Sequence, residues 1–181
     1  MAPNRGPLQF TYKGVYAIIK ETTGILVENI PEELTELERW VCWRYQERDG
    51  KLTKVPKTYR GTAASSTDER TWTTFKYAVA AVGQTSGPGS AGADGIGFVL
   101  SDDDPFCGID LDKCRNPESG DIAPWALEIL DRVRDGYVEI SPSRAGIHVI
   151  IRGDVRGGGI RRGPVEMYSR GRYLTITGRV L

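Results

Sequence analysis

Histidine occurs once in this 181-residue sequence, methionine twice and cysteine three times. The cysteines (Cys42, Cys107, Cys114) are odd in number and contain no C-x-x-C pair. They build neither a disulfide framework nor a zinc ribbon, and a reducing cytoplasm suits them. No stretch approaches about 18 consecutive apolar residues, so no membrane-spanning helix is expected and no membrane partner. The opening MAPNRGPLQF lacks the basic, apolar, small-residue order of a signal peptide. There is no G-x-x-x-x-G-K-[ST], which excludes a P-loop motor. A formal G-x-G-x-x-G exists at Gly87, Gly89 and Gly92, but Pro88 interrupts it. It neither follows a strand pattern nor opens a helix, so it carries no dinucleotide site. Net charge is missing too. The 24 basic and 24 acidic residues cancel, which argues against coating nucleic acid by bulk charge.

What is present is an ordinary globular composition, 39% hydrophobic and 27% charged, of a length that suits one compact domain. The charge is distributed unevenly. Asp94 to Glu139 holds twelve acids against four bases, whereas Arg144 to Leu181 holds eight arginines against Asp154 and Glu166. Arg44 to Arg60 is also basic, with six bases and two acids. An acidic centre between basic flanks suits a metal site beside phosphate-binding surfaces.

LQFTYK and VYAIIKE, joined at Gly14, read as a strand pair in an N-terminal extension over 1–29. Asn29 as N-cap, Pro31 in the first turn, and Leu34 with Leu37 on one face predict a short helix. WVCWRY and KLTKVPK form a hairpin around Asp49-Gly50, with Pro56 placing the second strand at an edge. A helix is expected over 71–82 with Asp68 or Thr67 near its start, followed by a mobile Gly/Ser-rich loop, GQTSGPGSAGADG. Strand runs follow at 95–100, 106–112, 137–140, 147–152, 165–168 and 172–178, with an amphipathic helix over 124–133. Strand pairs alternating with helices predict an α+β or α/β domain with a mixed or antiparallel sheet.

In GIDLD, positions i and i+2 of a strand project to one face, so Asp110 and Asp112 stand together while Ile109 and Leu111 face the core. Two adjacent carboxylates repel, and a divalent cation resolves the repulsion. Oxygen-only ligands select Mg²⁺ or Mn²⁺ over zinc. Glu166, between apolar Val165 and Met167, supplies a third carboxylate if its strand lies beside the aspartate strand, which is enough for two ions. The lone His148 follows Ser-Pro-Ser-Arg-Ala-Gly, a turn rich in hydroxyl and N–H donors that suits phosphate oxygens, with Gly146 available for positive φ. Being alone, it excludes relaxases that use two strand histidines, and H-E-x-x-H metalloproteases. Lys54, Lys57, Arg170 and Arg172 are candidate phosphate contacts, and Trp40, Trp43 and Tyr45 are candidate base-stacking residues.

These motifs resemble, in order, those of the archaeo-eukaryotic primase superfamily in its primase-polymerase branch from phages, plasmids and mobile elements. They are D-x-D at Asp110 and Asp112, S-x-x-G-x-H at Ser143 to His148, and a strand acid at Glu166. WVCWRY, KVPK, SSTDERTW, DGIGFVL and GRYLTITG also look like that branch, and the resemblance covers about 30–181. It implies an RRM-like mixed or antiparallel sheet with flanking helices, joined to a small N-terminal α/β module. It further implies template-directed nucleotidyl transfer by a two-metal mechanism, as DNA primase, DNA polymerase or both. Asp110, Asp112 and Glu166 would hold two Mg²⁺ or Mn²⁺ ions. Ser143, Arg144 and His148 would grip the triphosphate, helped by Lys54 and Arg172. The partners implied are a single-stranded DNA template, an NTP or dNTP, and a helicase domain in cis or a replicative helicase in trans. The setting implied is the cytoplasm of a bacterial host, with the chain part of a longer replication protein. Two other classes stay open: a catalytically idle nucleic-acid-binding module of the same fold, and a metal-dependent phosphohydrolase or nuclease using the same carboxylates.

Overall fold

The computed structural model describes residues 24–82 and 92–181. The expected strand pair before residue 24, and most of the Gly/Ser-rich segment with Gly87 and Gly89, lie outside the described residues. Of the 1–29 stretch, the described part is packed into the domain. Ile25 and Val27 are buried, and the Leu26 amide donates to the Thr177 carbonyl.

Among the described residues, nine strands form two antiparallel sheets. The hairpin comes first, β1 (Trp40–Arg48) and β2 (Lys51–Lys57), turned by Asp49 and Gly50, both with positive φ as a tight type I′ turn requires. β3 (Gly95–Leu100) pairs with β1, and the last strand, β9 (Arg172–Ile176), pairs with β3. The first sheet thus has the order β2-β1-β3-β9, with Pro56 on its edge strand. The second contains β4 (Phe106–Leu111), β5 (Tyr137–Ile140), β6 (Ile147–Arg152), β7 (Gly159–Arg162) and β8 (Val165–Tyr168) in the order β5-β6-β4-β8-β7. The α+β class read from the sequence holds, with antiparallel pairing throughout both sheets. The first sheet is not purely N-terminal, because β9 completes it.

The α-helices of the described residues are few and short: α1 (Glu32–Thr35), α2 (Phe75–Ala81) and α3 (Pro124–Arg132). α3 starts on proline and covers one face of the second sheet, over Ile109, Leu111, Ile147 and Val149. Two helix starts differ from the sequence reading. Asn29 does not cap α1; its side-chain amide donates to the Gly178 carbonyl, and Pro31 occupies the cap position. Asp68 caps only a single 3₁₀ turn, Glu69–Thr71. Thr73 then exchanges two backbone hydrogen bonds with Trp40, which keeps the chain extended until Thr74 caps α2.

The main core lies between α2, the first sheet and one end of the second. Trp40, Ile96, Phe98, Leu100 and Ile176 are nearly or wholly buried there. Burial of each such side chain contributes about 1.5–3 kcal/mol. The two sheets approach at Gly108, where a Cβ would stand 2.5 Å from Leu174 and 2.8 Å from Leu100. Trp40 and Trp43 are core residues whose indole N–H groups donate to the Leu34 and Ile96 carbonyls, so neither offers a face for base stacking. Tyr45 is exposed. Among the described residues no helix is long and apolar enough to cross a membrane.

Candidate active site

Strand register brings the predicted side chains together. Asp110 on β4 lies directly opposite His148 on β6 and, on its other side, Glu166 on β8. His148 in turn lies opposite Glu139 on β5, and Glu166 opposite Arg161 on β7. Direct cross-strand partners share a face, so Glu139, His148, Asp110, Glu166 and Arg161 form one row across all five strands. The opposite face carries the apolar residues under α3. The row is where the two sheets meet: β9 lies over its His148 end, and the charge of Lys54 on β2 interacts with Asp110 in the row and with Asp112 beyond it.

His148 is buried, and its Nδ1 stands 2.8 Å from the Thr175 carbonyl of β9. A carbonyl only accepts, so Nδ1 carries the proton, and Nε2 is turned towards Asp110 Oδ1 at 3.7 Å. Behind the ring is Glu139, wholly buried, with Oε1 3.5 Å from Nδ1. Its carboxylate accepts from the Thr177 and Gly178 amides at 2.8–3.0 Å and from the Tyr137 hydroxyl at 2.7 Å.

Burial pushes the Asp110 carboxyl above the ordinary aspartate range; His148 and Lys54 oppose this, while Asp112 and Glu166 reinforce it. Asp112 stands exposed one residue beyond β4, with its amide on the Pro164 carbonyl. Lys54 is half-buried, with Nζ 5.6 Å from the Trp43 ring centre. Burial lowers its ammonium pKa, and the charges of Asp110 and Asp112 act against that. Glu166 is committed to Arg161 (Nε to Oε1, 3.0 Å) and to the Tyr168 hydroxyl (2.8 Å). Among the described residues, no three histidine, cysteine, aspartate or glutamate side chains are grouped tightly enough to hold an ion as they stand. The donor chemistry nevertheless fits a hard divalent cation. Asp110 and Asp112 offer carboxylate oxygens at one strand end, Glu166 is directly across from Asp110, and burial, reinforced by the charges of Asp112 and Glu166, already drives Asp110 towards its neutral form.

The Ser143–Gly146 turn abuts Asp112, because Ile147 pairs with Leu111. Ser143 and Arg144 are exposed, but several of the turn's donors are engaged internally. The Arg144 amide donates to Ser141, the Ala145 amide to the Ser143 hydroxyl, and the Ser141 and Ser143 hydroxyls lie 3.0 Å apart. Positive φ falls on Arg144 and not on Gly146 as expected. Gly146 is required for space: a Cβ there would stand 2.9 Å from the Leu111 carbonyl oxygen and 3.1 Å from Ser141 Oγ. Arg172 lies apart from this turn, on the β8–β7 flank, with its guanidinium 5.0 Å from the Tyr168 ring centre. Sequence reasoning missed Glu139, Thr175, Arg161 and Tyr168. Only Glu139 left a trace, as an acid between apolar Val138 and Ile140 in a strand. The cysteines are free and buried, and burial raises each thiol, Cys42 to about 12.

The three motifs stand side by side on one sheet face, and similarity over most of the chain supports a domain of the primase-polymerase type, as in the archaeo-eukaryotic primase superfamily. Over 163 residues it is 35% identical to the DNA primase-polymerase of Nitratiruptor phage NrS-1, an alignment that covers 86% of this chain and 21% of that protein. The chain spans about a fifth of the length of this curated relative. No family model matches the chain.

Proposed function

We propose that this domain performs template-directed nucleotidyl transfer, making or extending a DNA-templated strand from NTPs or dNTPs in phage or mobile-element replication. The observation that carries the reading is the central placing of Asp110, directly between His148 and Glu166, with Asp112 and Lys54 at the same strand end. Two Mg²⁺ or Mn²⁺ ions, held by Asp110, Asp112 and Glu166, would neutralise charge on the attacking 3′-hydroxyl and the departing pyrophosphate. The protein's own groups do the positioning. The Thr175 carbonyl accepts from Nδ1 and so turns Nε2 to the cleft; with a second proton on Nε2, the imidazolium donates to a phosphate oxygen. Ser143 and Arg144, exposed at the turn beside Asp112, extend that contact along the triphosphate. Lys54 adds positive charge over the aspartates, and the sheet seam limits water around Asp110. The single-stranded template and a helicase, in cis or in trans, are the partners this role calls for.

The test is incorporation of labelled NTPs and dNTPs on single-stranded templates, with and without primer, in Mg²⁺ and in Mn²⁺. The reading expects metal-dependent, template-directed incorporation by the wild type and none by Asp110→Asn, Asp112→Asn or Glu166→Gln that still fold. Near wild-type turnover by any of the three removes that residue from the assignment. Release of nucleoside monophosphate or cut template without incorporation would identify a hydrolase.

A further inference from the structure

A cavity of about 410 Å³ opens beside Glu166, on the β8–β7 side of the sheet. Its walls are Arg161, Arg170, Arg172, Tyr168 and the Gly157–Gly159 turn. The glycines make it possible. A Cβ at Gly159 would stand 2.4 Å from the Tyr168 ring, and one at Gly158, where φ is +84°, would stand 2.4 Å from Arg170 Nε. Both side chains can therefore lie against bare backbone. Arg172 stacks over the Tyr168 ring, and Arg170 reaches Asp102. Arg161 is largely exposed and engages Glu166 through Nε alone; its terminal nitrogens form no hydrogen bond among the described residues.

Three guanidinium groups around an aromatic ring are complementary to phosphate diesters with an adjoining base or sugar. The sheet order puts this cavity and the Ser143–Gly146 turn on opposite flanks of β4, with Asp110 between them. Template-directed transfer needs a template strand held beside the reacting atoms as well as the triphosphate, and the turn accounts only for the triphosphate. We infer that the Arg161–Arg170–Arg172 cavity seats the phosphate backbone of the single-stranded DNA in the site, separately from the incoming nucleotide. This rests on the nucleotidyl-transfer reading. A free triphosphate is the other source of the same chemistry.

The experiment measures binding of a labelled single-stranded DNA to the full chain by fluorescence anisotropy across 50–200 mM salt, and of a non-hydrolysable NTP with Mn²⁺ by calorimetry. Arg161→Ala and Arg170→Ala should each weaken DNA binding by about five-fold at the low-salt end. Each should reduce the slope of log K against log salt by about 0.7, the value for one lost phosphate contact on a single strand. NTP affinity should not change in Arg170→Ala, whose ion pair is with Asp102 and not with Glu166. Arg162→Ala is the control: it removes the same charge one residue along β7, but its cross-strand partner, Val165, packs on the α3 face, so DNA affinity should fall less than two-fold. Unchanged DNA binding in both variants, an equal loss in Arg162→Ala, or no DNA binding by the wild type overturns the inference. A fall in NTP affinity with DNA binding intact assigns the cavity to the nucleotide and also overturns it. Arginine-dependent DNA binding by a wild type that incorporates no nucleotide keeps the site and rejects the nucleotidyl-transfer reading.

Discussion

Glu139 lies far from any surface, yet its replacement should reach the active site. It is wholly buried, and three donors depend on it: the Thr177 and Gly178 amides and the Tyr137 hydroxyl. Leaving a buried donor unsatisfied costs about 1–3 kcal/mol. Glu139→Ala leaves three, so even the low end gives about 3 kcal/mol, and the cavity left by the side chain adds to it. Against a total stability of about 5–15 kcal/mol, a loss of about 3–5 kcal/mol is a large fraction of the whole. For a chain of this size it lowers Tm by about 6–20 °C. Glu139→Gln should cost less, about 1–2 kcal/mol. Its one oxygen can replace Oε2, which takes bonds from all three donors, while its amide must face the protonated Nδ1 of His148. The same segment carries Thr175, whose carbonyl orients His148. The folded fraction of Glu139→Ala should therefore also bind nucleotide more weakly. Thermal melts, with nucleotide titration well below the transition, measure both effects. A Glu139→Ala protein that melts within about 3 °C of wild type would refute the reasoning.

Three further outcomes follow from the geometry. Asp110 has a raised pKa, so its contribution to stability is full below the ordinary value of 3.8 and is lost as pH rises through the folded value. Asp110→Asn keeps a neutral group there, so in metal-free buffer it should be more stable than wild type at pH 7, with the gap closing as pH falls towards 3.8; equal or lower stability at pH 7 contradicts the burial argument. His148→Ala should weaken binding of a non-hydrolysable NTP by roughly 10- to 100-fold, the equivalent of one hydrogen bond to a charged group, and leave Mn²⁺ binding without nucleotide nearly unchanged; a loss of stability with nucleotide affinity intact removes the phosphate-contact role. Gly146→Ala forces a methyl group against the Leu111 carbonyl, one residue before Asp112, at a cost of about 1–3 kcal/mol, so both Tm and incorporation should drop, and a neutral result would mean that the turn is free to shift.

Most of the strands were legible because their signals are local. GIGFVL, YVEI, IHVIIR and VEMY are strands with the bounds the apolar runs suggest, and Asp-Gly turned the hairpin. β7 was invisible: Gly-Ile-Arg-Arg is exposed at every position and has no core face to impose a period of two. The early start given to α2 failed because a good cap residue, Asp68, is followed by a segment captured by β1, and nothing in Thr71–Thr74 announces that pairing.

The active-site row divides along the same line. Spacing within a strand put Asp110 and Asp112 on one face, and alternation did the same for Glu166 and His148, each judged within its own segment. Which residue stands opposite which is a matter of register between strands up to 56 positions apart in sequence, Asp110 to Glu166 being the longest, and no local pattern encodes it. That is why Glu139 and Arg161, the outer members of the row, went unseen while its three middle members were found. It also changes the question asked of His148. A buried histidine bound to a backbone carbonyl is usually assigned to structure, and one facing a carboxylate cleft to function. Here the Nδ1 bond to Thr175 is what aims Nε2 at Asp110, so anchoring the ring and presenting it are one interaction. Stability and nucleotide affinity should therefore fall together in variants that disturb β9, whereas in His148→Gln, which removes the imidazole with less loss of packing, affinity should fall further than stability. Variants in which stability falls and affinity does not would separate the two roles.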